Sequence, residues 1–284
     1  MGEGGRARID SELSEGTCRG DKGLLNTACK SVVPRSRRPP TYLRQYDCRP
    51  PPIVIPLLST IQLVLFIYDG VRLGGITASG PVDPESPLIY SPYRRREVWR
   101  LLTYMLVHVG WVHIVYNLIV QLLVGLPLEL VHKWWRVGIV YLCGVLAGSL
   151  ATSVLDPRVF LAGASGGVYA LLTAHLADLV LNWAEMEFAF VRLGILLLLA
   201  GTDVGVAIYN RYGTETGNKV AYTAHLAGAL AGLLMGHVAL RNLRLLRWER
   251  VLWWVSLVTY LLLVLVMVVF NAAAPEGYFP PQDV

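Results

Sequence analysis

The stretch Gly163–Tyr169, with the sequence GASGGVY, opens one of several apolar segments in this chain. It places Ser165 among small residues at the start of a predicted helix. A later apolar segment carries AHLAG at positions 224–228, with His225 as its second residue. If these two segments lie side by side, a hydroxyl and an imidazole meet inside an apolar region, and the surrounding sequence bears on whether they do.

The composition is that of a membrane protein. Of the 284 residues, 54% are hydrophobic and only 16% are charged, which is too apolar for an ordinary soluble domain. Several apolar runs approach the roughly 20 residues needed to span a bilayer core. Much of the positive charge lies in the N-terminal tail and in one late loop. The net charge of +5 therefore bears on membrane topology rather than on nucleic-acid binding.

Apolar runs separated by polar or proline-containing breaks predict an all-α polytopic membrane protein with seven spans. A segment from Trp99 to Val109 precedes the second span and is predicted to be half-embedded in the membrane. Residues 128–136 are predicted to form a loop that contains Glu129 and His132. The predicted spans cover residues 53–68, 111–127, 137–155, 165–182, 188–207, 220–240 and 251–270.

The distribution of arginine predicts the orientation in the membrane. Residues 1–50 are rich in Gly, Ser and Arg, which predicts a disordered tail, and the arginines before the first span predict that this tail is cytoplasmic. Alternation then places loops 128–136, 183–187 and 241–250 in the cytoplasm and residues 272–284 on the outer side. Four arginines in the first outer loop run against this trend and require a local reason: Arg94, Arg95, Arg96 and Arg100.

Four polar residues from three different spans are predicted to lie at one depth, in the outer half of the bilayer. Ser165 starts the fourth span, and His225 lies about five residues, or roughly 8 Å, into the sixth. His113 and Asn117 lie near the outer end of the second span. Taken singly, each could make a helix–helix hydrogen bond. Their shared depth favours a common site.

Other polar residues in the spans have simpler interpretations. Three lie toward the cytoplasmic half, where helix–helix hydrogen bonds are expected: His175, Asp178 and His237. Asp203 lies near the outer end of the fifth span and could orient a base, although nothing in its spacing selects it.

Small residues recur on one face of both the fourth and the sixth span. Such stripes permit close approach of helix backbones in a membrane, and here they predict that the two spans pack together. By themselves, stripes of this kind indicate only close packing. The members are Gly166, Ala170, Ala174 and Ala177 in the fourth span, and Ala224, Gly228, Gly232 and Gly236 in the sixth.

The predicted contact suits acyl transfer. Serine becomes a good nucleophile when a neighbouring base takes its proton, and histidine suits that role near neutral pH. Ser165 also starts a helix, where backbone N–H groups and the helix dipole favour an anion. His113 and Asn117 share a helix face at i, i+4 and could donate to the same oxyanion. Tyr169 lies one turn after Ser165 and can pack on His225, which favours a dyad over a triad.

These motifs, in this order, resemble those of the rhomboid intramembrane serine proteases. The similarity extends over roughly residues 46–272, and the seventh span after a six-helix core resembles the secretase-type rhomboids of animals. The motifs that carry the resemblance are Trp99-Arg100, His108, HIVYN at 113–117, GASG at 163–166 with Tyr169, and AHLAG at 224–228.

The resemblance implies a function and a set of roles. It implies a serine endopeptidase that cleaves single-pass membrane proteins, including precursors of EGF-like growth factors, in the Golgi, endosomes or plasma membrane, without a metal or cofactor. The core would occupy residues 51–240, and residues 241–271 would add an Arg-rich loop and the seventh helix. Ser165 would be the nucleophile and His225 the general base. The oxyanion hole would comprise His113, Asn117 and the Ser165 backbone, supported by Gly163, Gly166, Tyr169, Gly228, His108, Trp99 and Arg100.

Other classes of protein are less consistent with the sequence. A catalytically silent protein of the same fold would bind client transmembrane helices, but such relatives often lose the serine or carry a proline beside it, and neither change is present. A proton-coupled transporter would use intramembrane histidines, yet no internal repeat is evident. No His-Glu-x-x-His motif supports a metalloprotease.

Overall fold

A computed structural model of the chain describes residues 50–282, apart from residues 184–185, 187–188, 213–221 and 243–246. The predicted disordered tail therefore lies outside the described residues, except for its last residue. The helices in the described part are α1 (Val54–Arg72), α2 (Arg100–Thr103), α3 (Gly110–His132), α4 (Trp134–Leu155), α5 (Ser165–Asn182), α6 (Ala189–Tyr212), α7 (Tyr222–Ala239) and α8 (Arg247–Ala273).

The described residues form an all-α polytopic membrane protein, as the sequence predicts. By length and composition, α1, α3, α4 and α8 are apolar enough to cross a membrane. The remaining long helices, α5, α6 and α7, have 18, 24 and 18 residues, and carry more polar and small residues. A short 3₁₀ helix, Tyr104–Leu106, follows α2 in the segment predicted to be half-embedded. Helices α4, α5 and α7 pack together at the centre, and α8 packs on their periphery.

The prediction of a loop at residues 128–136 was wrong. Helix α3 continues through Pro127 to His132, and only Lys133, with a positive φ of 75°, separates it from α4. Proline lacks a backbone N–H and so removes one helical hydrogen bond. For this reason, a proline considered without its tertiary contacts predicts the end of a helix. In a membrane bundle, neighbouring helices can compensate for that loss. Next to the Leu123 carbonyl that Pro127 leaves without an intrahelical donor, a ring nitrogen of His175 on α5 lies 2.8 Å from the carbonyl oxygen of Val124 and so contacts this turn.

The extension of α3 brings the polar residues Glu129 and His132 into the bundle. The Glu129 carboxylate accepts a hydrogen bond from the Ile55 N–H at 3.0 Å, and so satisfies a donor at the start of α1. Further along the same contact between α1 and α3, the buried side chains of Gln62, Gln121 and Tyr141 hydrogen bond to one another. Because these buried polar groups are paired, they fix the register of α1 against α3 and α4.

A second buried polar cluster lies where α3, α5 and α7 end. His132 Nε2 lies 3.3 Å from the Asp178 carboxylate, and both side chains are almost fully buried. Asn182 Nδ2 donates to Asp178 at 2.8 Å, and the Arg241 N–H donates to His132 Nδ1 at 3.0 Å. The cluster thus joins three helix ends. Sequence analysis did not predict a buried role for His132, because residues 128–136 were assigned to a loop.

The expected contacts of His175 and Asp178 with another helix are present. His175 hydrogen bonds to α3, and Asp178 lies within ion-pair distance of His132 on α3. The expectation for His237 was wrong, since neither ring nitrogen has a hydrogen-bond partner among the described residues.

Replacing Asp178 with alanine is expected to destabilise the fold by about 3–5 kcal/mol, because it leaves the buried partners of the carboxylate unsatisfied. Thermal unfolding of the purified chain in detergent micelles measures the effect. Val180→Ala is the matched control, since Val180 lies on the same helix with 46% of its surface exposed. Equal melting temperatures for the two variants would contradict the structural role of Asp178.

Candidate active site

The contact between α5 and α7 is close enough to exclude side chains. A Cβ atom on Gly228 would lie 2.2 Å from the carbonyl oxygen of Gly166, and one on Gly232 would lie 2.2 Å from that of Ala170. The predicted packing of the two small-residue stripes is therefore confirmed. It brings the first turn of α5, which contains Ser165, beside the first turns of α7.

The imidazole of His225 stacks on the ring of Tyr169. The ring centroids are 4.6 Å apart and the ring planes differ by 22°, so the predicted contact is present. Tyr222 approaches the imidazole edge-on at 6.5 Å. Ser165 lies one turn before Tyr169 on α5, and Ser165, Tyr169 and His225 are all half-buried. The stacking fixes the ring plane of His225 on the face of α5 that also carries Ser165.

The segment before Ser165 is held by backbone hydrogen bonds. Leu161 and Tyr90 exchange two of them, at 3.0 and 3.1 Å. The Gly163 N–H donates to the Tyr104 carbonyl at 3.1 Å, and the Ala164 N–H donates to His108 Nε2 at 3.3 Å. These two N–H groups are already paired. A ligand at the start of α5 would therefore meet backbone donors from Ser165 onward.

His108 is buried and neutral. It lies between the 3₁₀ helix and α3, outside the long helices, and burial together with the neighbouring His113 lowers its pKa to about 3. A neutral imidazole can accept the hydrogen bond from the Ala164 N–H. His108 thus positions the backbone immediately before Ser165.

His113 lies directly against the backbone of Gly163. A Cβ atom on Gly163 would lie 2.5 Å from His113 Cε1, and the φ of +125° also disfavours any other residue there. We expected Gly163 to let donors approach an oxyanion; in the structure, its missing side chain makes room for the His113 ring. Asn117 is buried one turn further along α3, and its Nδ2 donates to the His113 carbonyl at 2.9 Å.

Trp99 and Arg100 organise the loop before α2 and do not contact Ser165. Trp99 Nε1 donates to the Pro87 carbonyl at 3.1 Å. Arg100 is 2% exposed and pairs with the Glu97 carboxylate at 2.6 Å. It also donates to the carbonyls of Ser86 and Ile89. Its charge is thus used inside the loop, which supplies a local reason for one of the four exceptional arginines.

Sequence reasoning missed Tyr104. Its hydroxyl donates to the Val145 carbonyl at 2.8 Å, and a Cβ atom on either Gly148 or Gly166 would come within 3 Å of it. Tyr104 therefore fills the space where α4 and α5 meet behind Ser165. Nothing in the local sequence distinguishes it, since its hydroxyl contacts residues that are distant in the chain.

Two further points of the sequence analysis concern Asp203 and metal binding. The side chain of Asp203 lies outside the described residues. Within the described residues, no group of three or more His, Cys, Asp or Glu side chains lies close enough to hold a metal ion.

The fold and site define a polytopic helical membrane protein with a serine and a histidine on packed helices. Residues 95–242, more than half of the chain, match the Rhomboid domain. Mouse rhomboid-related protein 2 is 44% identical over 239 residues, which cover 81% of this chain and 78% of that protein. Human rhomboid-related protein 3 is 37% identical over 258 residues, covering 88% and 64%. The chain belongs to the rhomboid family.

A third relative bears on activity. The protein named inactive rhomboid-related protein 2 of Caenorhabditis elegans is 41% identical over 237 residues, which cover 82% of this chain and 68% of that protein. Family membership is therefore compatible with both active and inactive proteins. A proposal for this chain has to rest on its own residues.

Proposed function

We propose that this protein is an intramembrane serine endopeptidase with Ser165 as nucleophile and His225 as general base. The observation that carries the proposal is the packing of the Ser165 turn of α5 against the His225 turn of α7, with the imidazole stacked on Tyr169 at 4.6 Å. A serine needs an adjacent base to become nucleophilic. The stack on Tyr169 orients that base, and the proposed catalytic unit is a dyad of Ser165 and His225.

The proposed reaction proceeds through an acyl-enzyme. His225 takes the proton from Ser165 Oγ as the oxygen attacks the carbonyl carbon of the scissile peptide bond. The tetrahedral intermediate then collapses, the C–N bond breaks, and His225 gives the proton to the leaving amine. Water attacks the resulting ester, again assisted by His225, and releases the second product.

Three groups are the proposed donors to the oxyanion. As the first residue of α5, Ser165 has an N–H with no acceptor within its own helix. His113 lies against Gly163, two residues before Ser165, and Asn117 follows one turn along the same helix. Loss of one oxyanion donor typically costs about 3–4 kcal/mol of transition-state stabilisation.

The proposed substrates are single-pass membrane proteins cut within or near their transmembrane segment, and precursors of EGF-like growth factors are the leading candidates by family resemblance. Peptide bonds within an intact helix are internally hydrogen bonded, so the substrate must unwind locally. Small or helix-weakening residues reduce that cost. The proposed orientation has a cytoplasmic N-terminus and a lumenal or extracellular C-terminus, in the Golgi, endosomes or plasma membrane.

A second candidate function is a catalytically silent protein that binds client transmembrane helices. The observation in its favour is the 41% identity to a relative named inactive. Both functions use the same fold, and they differ in whether Ser165 is activated.

An alkyl fluorophosphonate probe separates the two candidates, because it forms a covalent bond with an activated serine. The purified wild-type chain in detergent is expected to be labelled, whereas Ser165→Ala and His225→Ala are not. Ser79→Ala, at an exposed serine outside the site, serves as the matched control and is expected to label like the wild type. A folded wild-type chain that is not labelled would favour the silent protein.

A further inference from the structure

A cavity of about 410 Å³ lies beside the ends of two membrane-spanning helices. Its lining includes residues from the last turns of α4 and α8, together with the loop before α2. Helix α4 ends ten residues before α5 begins, so the cavity lies at the membrane face where Ser165 starts α5. We call this the Ser165 face. The cavity therefore lies at the level where a spanning helix meets the lipid headgroups.

The cavity has an apolar and a cationic part. Its apolar lining comprises Val98, Leu101, Leu150 and Val268, and its cationic lining comprises Arg95 and Arg96. No Asp or Glu side chain is among the described residues that line it. A ligand that matches this surface carries both a hydrocarbon portion and a negative charge.

Two arginines of this loop, Arg95 and Arg96, have no acidic partner among the described residues. In the same loop, Arg94 pairs with Glu85 and Arg100 pairs with Glu97. By contrast, neither Arg95 nor Arg96 forms an ion pair with any residue in the described part of the chain. The Arg95 guanidinium has neutral partners: it donates to the Asn271 carbonyl at 3.2 Å and lies 3.5 Å from the ring centroid of Phe279.

One donor of Arg95 lacks a partner in the described part of the chain. Its Nε is buried and has no hydrogen-bond acceptor among the described residues. A buried unsatisfied donor is costly, and a bound ligand that accepts a hydrogen bond would remove that cost. Arginine forms strong, geometrically matched hydrogen bonds with phosphate oxygens.

The site is held together by the segment that follows α8. Gln282 Oε1 accepts the Arg95 backbone N–H at 2.8 Å, and Gln282 Nε2 donates to the Pro92 carbonyl at 3.0 Å. The Tyr278 hydroxyl donates to the Val154 carbonyl at the end of α4. The C-terminal segment thus fixes the loop against both spanning helices, and the cavity exists before any ligand binds.

We propose that this cavity binds an anionic phospholipid at the Ser165 face. Arg95 and Arg96 contact the phosphate and headgroup, and the acyl chain follows the apolar lining toward the bilayer core. Free phosphate would leave the apolar half of the cavity empty, whereas a membrane lipid fills both halves. The excess of basic residues is expected in the cytoplasmic loops, and Arg95 and Arg96 are exceptions that form no ion pair with the described residues. A lipid phosphate at this site would explain their position. The site does not depend on the catalytic proposal, because lipid binding needs no cleavage.

Native mass spectrometry of the purified full chain, titrated with phosphatidylglycerol or phosphatidylcholine, tests the proposal. Phosphatidylglycerol is expected to bind more tightly. Arg95→Gln and Arg96→Gln should each weaken its binding about fivefold, since a basic residue contributes on that scale to anionic-lipid attraction. The Arg96 side chain is exposed and makes no hydrogen bond with the described residues, so Arg96→Gln tests the charge without disturbing the fold.

Two controls distinguish a built site from general charge attraction. Arg158→Gln removes the same charge from an exposed arginine in the α4–α5 connection, outside the cavity, and is expected to leave binding unchanged. Val268→Trp fills the apolar half while retaining both arginines, and is expected to weaken binding. Equal weakening by Arg158→Gln, or equal affinity for the two lipids, would overturn the proposal. The proposal would also be overturned if inorganic phosphate displaced phosphatidylglycerol and Val268→Trp bound this lipid as tightly as the wild type does.

Discussion

Cleavage of a co-expressed single-pass membrane substrate is expected to fall by roughly 10⁴-fold or more when Ser165 is replaced by alanine, as is usual when a catalytic nucleophile is lost. The change removes one oxygen from a half-buried residue at a helix start, so the fold should be retained. Release of the ectodomain of an EGF-type precursor into the medium measures the reaction. The amount of full-length chain in the membrane is measured in parallel.

His225→Ala is expected to have an effect of the same size, and the double variant should be no worse than either single one. Residues that act as one catalytic unit give such non-additive losses. Ser79→Ala controls for expression and for serine replacement in general. Unchanged ectodomain release from Ser165→Ala would refute the protease proposal and leave the client-binding protein as the better function.

Gly228→Ala is expected to lower cleavage by about 100-fold, because a displacement of roughly 1 Å at a catalytic group can have that effect. The added Cβ would lie 2.2 Å from the carbonyl oxygen of Gly166, and backbone atoms cannot move aside without separating the two helices. The displacement would carry His225 away from the Ser165 turn. Stability should also decrease, by about 1–3 kcal/mol, as for other overpacked positions.

Gly194→Ala and Gly201→Ala are the matched controls for this substitution. Both glycines lie within α6, and a Cβ atom on either would meet nothing within 4 Å. Alanine in place of glycine inside a helix should raise stability by about 0.5–1 kcal/mol and leave cleavage unchanged. If Gly228→Ala retains wild-type cleavage and melting temperature, the close α5–α7 contact does not set the geometry of the site.

Sequence alone was sufficient to predict the helical architecture, because the length of an apolar run reports directly on membrane crossing. It also predicted the contact between α5 and α7, since small residues at every fourth position lie on one helix face. The stacking of Tyr169 on His225 followed from the same helical spacing. These predictions succeeded because each depends on residues a few positions apart along one helix.

The predictions that were wrong concern residues whose surroundings are formed by segments distant in the sequence. Pro127 predicts a helix end when only its neighbours in sequence are considered, yet α3 continues through it and is contacted there by His175 of α5. As a result, His132 was assigned to a loop, whereas it pairs with Asp178 in the bundle. His237 is the converse case, with a polar ring that finds no hydrogen-bond partner in the described part of the chain.

What the sequence by itself determined, then, is the set of apolar helices and the candidate site residues that they carry. Only the tertiary structure decided that Tyr104 lies behind Ser165, that His113 occupies the space beside Gly163, and that Gln282 holds the loop of Arg95. The physical reason is the range of each interaction. Hydropathy and helical periodicity are local properties of the chain, whereas hydrogen bonds and packing between segments up to 190 residues apart depend on the folded arrangement.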